Sequence, residues 1–245
     1  MSPVVPSLLI VVPALNEEQS VDQVVRSVRA AVPEGVCLVV DDGSTDRTAE
    51  VARAAGARVL SLPFNLGVGG AMRAGFRYAR ANGFETVVQV DGDGQHDPRD
   101  VETLLAALPE ADIVIGARFA GVGDYDARGP RRWAMRVLAR VVSAVARHPL
   151  TDVTSGFKAM GPDAVRLFAQ TYPAEYLGDT VEALVIAARS GLRIRQRPIA
   201  MRPRQAGAPS HHVGRATIYL FRAGIAVMIA LLRPRVVVPA DGTAT

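Results

Sequence analysis

Short apolar runs alternate along this chain with segments of helical period, and that alternation constrains the fold more than any other feature. Leu8–Val12 predicts a strand, and Val21, Val24, Val25 and Val28 recur on one face of the helix after it. Val36–Val40 predicts a second strand, Thr45–Ala55 a second helix and Arg58–Leu60 a short third strand. A helix from about Gly70 to Arg80 follows the glycine-rich Asn65–Gly70. Thr86–Val90 and Asp112–Ile115 are further strands, with Pro98–Leu108 helical between them and Pro98 suited to a first turn. This βαβα rhythm predicts an α/β fold, a mostly parallel twisted sheet flanked by helices.

Past Gly116 the rhythm weakens. Gly121–Pro130 is a polar, glycine-rich loop, followed by a helix from about Arg131 to Arg147. Then come the polar segment Asp152–Lys158, a helix from about Asp179 to Ser190, a strand near Leu192–Arg197 and a last helix at about Val213–Leu232. With 245 residues, 49% of them apolar, the chain buries a full core without disulfides. Its one cysteine, Cys37, lies within the apolar run Val36–Val40 and reads as a core residue.

The net charge is +4, and all but one of the 28 lysine and arginine residues are arginine, the exception being Lys158. Guanidinium forks suit phosphate. Aromatic residues make up only 5%, with no basic helix and no zinc-finger spacing, which argues against nucleic acid. A Walker A loop needs a lysine after its second glycine, and Lys158 follows Gly156-Phe157 instead. Met72 stands where a dinucleotide fingerprint would have its third glycine, and no Gly-x-Ser-x-Gly elbow is present. The N-terminal residues carry no secretion signal and no uncharged apolar run suffices for a clean transmembrane helix, so the expected location is the cytosol or the cytosolic face of a membrane.

The sharpest local feature is Asp91-Gly92-Asp93-Gly94-Gln95-His96-Asp97, directly after the strand Thr86–Val90. Strand C-terminal ends are where open α/β sheets bind ligands. Two carboxylates two residues apart, freed by glycines, can converge on one hard cation, as Mg²⁺ is held by one or two carboxylates plus substrate phosphates. An EF-hand does not fit, because His96 occupies the position that needs glycine. The same strand-end placement recurs at Pro13-Ala14-Leu15-Asn16-Glu17-Glu18 and at Asp41-Asp42-Gly43-Ser44-Thr45-Asp46. Helix capping by Asn16 and by Ser44 or Asp46 is the competing reading of these two segments.

In their order along the chain these residues resemble the family 2 glycosyltransferases of the GT-A fold. More closely they resemble the polyprenyl-phosphate, dolichol-phosphate-mannose-synthase-like group. Pro13, Leu15 and Glu17, with Asp41 and Asp42, lie in segments similar to those that hold the nucleotide-sugar, as do Gly70 of the glycine-rich turn, Asp91 and Gly92. The resemblance implies that Asp91, Asp93 and Gln95 hold Mg²⁺ or Mn²⁺. It implies that Asp93, Arg118 and Arg204 act at the reacting groups. Arg118, Arg131, Arg132, Ser155, Lys158 and Arg204 would face the acceptor phosphate, with Arg202 an alternative to Arg204. Lys158 stands where the group more often has arginine, and Ala208-Pro209 lengthens the late arginine-plus-glycine segment.

The activity so implied is inverting transfer of a sugar from a nucleotide-sugar to a polyprenyl phosphate, making a lipid-linked donor for cell-envelope glycans. The wording of Asn65–Ala71 and Asp91–His96 is closer to relatives using UDP-sugars than to users of GDP-mannose. A soluble transferase with a hydroxyl acceptor would need a carboxylate base, for which Asp179 and Glu182 are the candidates. A non-catalytic nucleotide-sugar binder is the other alternative. Arg215, Arg222 and Arg233 fall within about 20° of one another on the last helix, a stripe suited to a headgroup layer. The expected organisation is thus a GT-A domain over 1–212, an amphipathic helix over 213–235 that lies on a membrane or docks on a small membrane partner, and a tail over 236–245. The protein is expected to be peripheral, on the cytoplasmic face of the cell membrane.

Overall fold

A computed structural model describes residues 8–92, 94–117, 130–173 and 179–200, together with Met228 and Leu232; the side chains of 130–134 and 179 lie outside this description. β1 (Leu8–Ala14), β2 (Val36–Asp41), β3 (Arg58–Ser61) and β4 (Thr86–Gln89) are joined through α1 (Val21–Ala31), α2 (Thr48–Ala54) and α3 (Gly67–Ala81). After β4 come α4 (Asp100–Leu105), β5 (Ile113–Ala117), α5 (Pro130–Ala146), β6 (Lys158–Met160), α6 (Pro162–Thr171), α7 (Asp179–Arg189) and β7 (Ile194–Pro198). The described strands form one sheet of order β3-β2-β1-β4-β6-β5-β7. All neighbours are parallel except β6, which runs antiparallel to both β4 and β5. The mostly parallel sheet expected from the alternation is therefore present.

The period of two along β1 explains the two helical layers. Leu9 and Val11 face one side and Ile10 and Val12 the other, all fully buried, as a sheet covered on both faces demands. Leu9, Val11, Val87 and Ile115 join Met72 and Phe76 of α3, Val142 of α5, Phe168 of α6 and Val185 of α7 in one core. Ile10, Val12, Val88 and Val114 join Val21, Val25 and Val28 of α1 and Leu104 of α4 in the other. The valine face expected for α1 is the face that is buried.

Several elements differ from the sequence reading. α3 begins at Gly67, a turn earlier than expected, because the Asp42 carboxylate at the end of β2 accepts the Leu66 N–H at 2.8 Å and caps this helix from outside. α4 begins only at Asp100, so Pro98 precedes the helix. There Asp97 Oδ1 accepts the Arg99 N–H, and the Asp97 and Pro98 carbonyls accept from Asp100 and Val101, which holds the chain in a tight turn. Finally, β6 and α6 lie where the sequence reading placed no element. β6 has only three residues, too few for a period to show.

Cys37 is buried as expected, and burial pushes its thiol up to about 12. The native protein is therefore expected to resist thiol reagents at pH 8 and to take up one equivalent on unfolding. Mass spectrometry after iodoacetamide with and without denaturant checks this, and rapid native labelling would mean that β2 opens locally.

Candidate active site

The first two strand-end segments are laced to each other. Asn16 sits in the left-handed region at φ 54°, a conformation that asparagine tolerates better than most residues. Its N–H donates to Ser44 Oγ at 2.9 Å, and its Oδ1 accepts the Thr45 N–H at 2.9 Å. The Glu17 N–H donates to Thr48 Oγ1 at 2.8 Å, and Glu18 joins Asp46 and Arg47. Asn16 and Ser44 thus bridge two loops and cap neither α1 nor α2, which is where the capping expectation fails. The N-cap positions belong to Ser20 and Arg47. Asp46 does serve α2, accepting the Thr48 N–H at 2.9 Å.

The two buried carboxylates behind this lacing also have structural partners. Asp41 Oδ1 accepts the Ser44 N–H at 3.0 Å, and Asp42 holds Leu66. Burial raises the Asp42 pKa, the Leu66 and Gly67 amides pull it back, and the Asp41 charge adds to the rise. Leu15 remains exposed beside them, Pro13 is half-buried, and Glu17 accepts the Ser20 hydroxyl. A Cβ at Gly70 would meet Leu66 Cβ at 2.3 Å, so that glycine admits the entry to α3. A Cβ at Gly92 would come within 3.1 Å of the Pro13 carbonyl, so the chain just past β4 lies close to the end of β1.

Asp91 lies just past the end of β4. Its Oδ2 lies 3.3 Å from His96 Nε2, and its Oδ1 accepts from Gln89 Nε2 at 3.3 Å. Burial opposes its ionisation, but the His96 hydrogen bond and charge, the Gln89 amide and the Lys158 charge prevail and hold it below the usual carboxylate range. Even so, 34% of the side-chain surface stays exposed. A carboxylate held ionised with one open side is a hard oxygen donor of the kind Mg²⁺ and Mn²⁺ take. The donor chemistry of Asp91, with half-buried Gln95 four residues on, therefore fits the expected ion.

Of the remaining expected residues, Ser155 and Lys158 are buried, and Ser155 Oγ accepts the Phe157 N–H at 3.3 Å. Glu182 is buried on α7. Asp93, Arg118, Arg204, Arg202 and the helix expected over 213–235 fall outside the described residues, as do the side chains of Arg131, Arg132 and Asp179. Residues 9–167 match the family model described as glycosyl transferase family 2. The chain belongs to that family.

Family 2 membership makes the protein a glycosyltransferase, and the seven-stranded sheet is its GT-A core. Among its relatives is the undecaprenyl-phosphate mannosyltransferase of Micrococcus luteus, 34% identical over 93% of this chain and 98% of that protein. Another is the polyprenol monophosphomannose synthase of Mycolicibacterium smegmatis, also 34% identical, over 62% of this chain and 60% of that one. The fold matches glucosyl-3-phosphoglycerate synthase of Mycobacterium tuberculosis, solved with Mn²⁺, UDP-glucose and phosphoglyceric acid, at a TM-score of 0.70 and 23% identity over 94% of this chain and 81% of that one. Sequence reasoning missed what Gln89, His96, Gly156 and Phe157 do around Asp91. No local signal pointed to the last two, which reach Asp91 only through the antiparallel pairing of β6 with β4.

Proposed function

We propose that this glycosyltransferase moves a hexose from a nucleotide-sugar to a polyprenyl phosphate, with inversion at the anomeric carbon, at the cytoplasmic surface of a membrane. The observation that carries the reading is the 34% identity to the Micrococcus luteus enzyme along nearly the whole of both chains. The laced loops at 13–18 and 41–48 are read as the seat of the nucleotide, with Pro13, Leu15, Glu17, Asp41 and Gly92 lining it. Asp91, Asp93 and Gln95 would hold Mg²⁺ or Mn²⁺, which when bound neutralises the departing diphosphate.

The remaining problem is the negative charge of the acceptor. A phosphate monoester has its second pKa at about 6, so at neutral pH it is mostly a dianion and needs alignment and desolvation more than a general base. Arg118, Arg131, Arg132 and Arg204 are read as the groups that clamp phosphate oxygens. Membrane attachment is assigned to 213–235. Met228 and Leu232 in that segment are both exposed, two large apolar side chains available to such an attachment. Uridine is the proposed nucleotide from the wording of the motifs, while the two relatives put mannose first among the sugars to test.

Full-length protein incubated with labelled UDP- and GDP-sugars, Mn²⁺ or Mg²⁺, and undecaprenyl phosphate tests this. Label is expected in the organic phase with one donor and is expected to vanish with EDTA. Label transferred only to hydroxyl acceptors would replace the lipid-phosphate reading by a soluble one.

A further inference from the structure

β6 runs antiparallel to β4 with Lys158 opposite Gln89, which brings the start of β6 to the C-terminal end of β4, beside Asp91. Three consecutive residues there serve that carboxylate. At Gly156 a Cβ would come 2.3 Å from Asp91 Oδ1 and 2.5 Å from Oδ2, so a side chain at this position would push the carboxylate aside. The Phe157 ring stacks on His96, with centroids 4.9 Å apart and planes at 15°. Buried Lys158 adds its charge to the same carboxylate.

His96 completes the arrangement. It is buried, its Nε2 faces Asp91 Oδ2, and its Nδ1 is buried with no hydrogen-bond partner. A proton on Nε2 makes the hydrogen bond that His96 directs at Asp91. Outer groups of this kind fix the orientation of a metal ligand and tune its basicity.

We propose that His96, Gly156 and Phe157 are positioning residues that aim the Asp91 carboxylate at the cation and diphosphate of the donor. The segment whose wording resembles an acceptor motif thus works on the donor side. This rests on the function proposed above, in that it takes Asp91 as a metal ligand.

The test is Mn²⁺ binding by the full chain, read from the electron paramagnetic resonance of the free ion in the presence of UDP or GDP, without sugar or lipid. His96→Phe keeps the stack on Phe157 and removes the donor; His96→Gln keeps an amide donor near Nε2. His96→Phe and Gly156→Ala are expected to weaken Mn²⁺ binding by about 10–100-fold, and His96→Gln to recover most of it. Thermal unfolding of each variant reports folding separately. Wild-type affinity in both weakened variants would overturn the proposal, as would a well-folded His96→Gln no better than His96→Phe, or a wild type that takes up no Mn²⁺ with either nucleotide. Mn²⁺ affinities in the expected order, with no sugar passing to undecaprenyl phosphate, would support the positioning role and sink the lipid-phosphate function instead.

Discussion

Asp91→Asn is expected to lower sugar transfer by about three orders of magnitude while leaving a folded protein. Three decades correspond to about 4 kcal/mol of transition-state stabilisation, within the several kcal/mol that a bound cation supplies to developing charge. The substitution keeps the shape that Gly156 accommodates and leaves an oxygen for His96 to donate to. Gln89 Oε1 is buried without a partner, so turning the Gln89 amide would let it accept from the new Asn NH₂ group. Buried Lys158 loses a nearby counter-charge, and a fall in stability is expected from that. Steady-state kcat/KM at saturating Mn²⁺, beside a circular dichroism melt, separates the two effects. A folded variant within tenfold of wild type would remove Asp91 from the metal assignment.

The largest expected stability effect comes from Phe76→Ala. Phe76 on α3 is fully buried, with the Phe168 ring centroid 5.2 Å away and that of Tyr172 5.1 Å away, so one ring ties α3 to α6 and to the end of its turn. Truncating a buried phenylalanine costs about 3–5 kcal/mol, transfer and cavity terms together. At about 2–4 °C per kcal/mol for a chain of this size, the melting temperature is expected to fall by about 6–20 °C. Calorimetry on the two proteins under one buffer and scan rate checks this. A fall below about 3 °C would mean that the surrounding rings collapse into the space, and that α3 and α6 are held elsewhere.

Much of the fold was legible because it is written in local periods. The valines of α1 recur at helical spacing and are the buried ones, and the alternation along β1 leaves each face in its own core. The strand-end motifs were legible for a related reason, since a parallel sheet places every βα turn at one edge and so gathers Asn16, Asp41 and Asp91 there. α6 was within reach: Pro162 opens it, and Ala164, Val165 and Phe168 keep helical spacing. β6 was not, because nothing in Lys158–Met160 marks a strand until β4 and β5 stand on either side.

The sequence by itself determined the layered α/β architecture, the strand-end location of the site and the residue types available for a cation and phosphates. Each of these follows from spacing within a few tens of residues. Only the tertiary structure decided which groups those residues meet. Asp42 caps a helix some 25 positions on, Asn16 locks a loop 28 residues away, and Gly156 makes room for a carboxylate just past the end of β4. Hydrogen bonds and close contacts of that kind depend on strand register and on how two loops cross, and no sequence period encodes either.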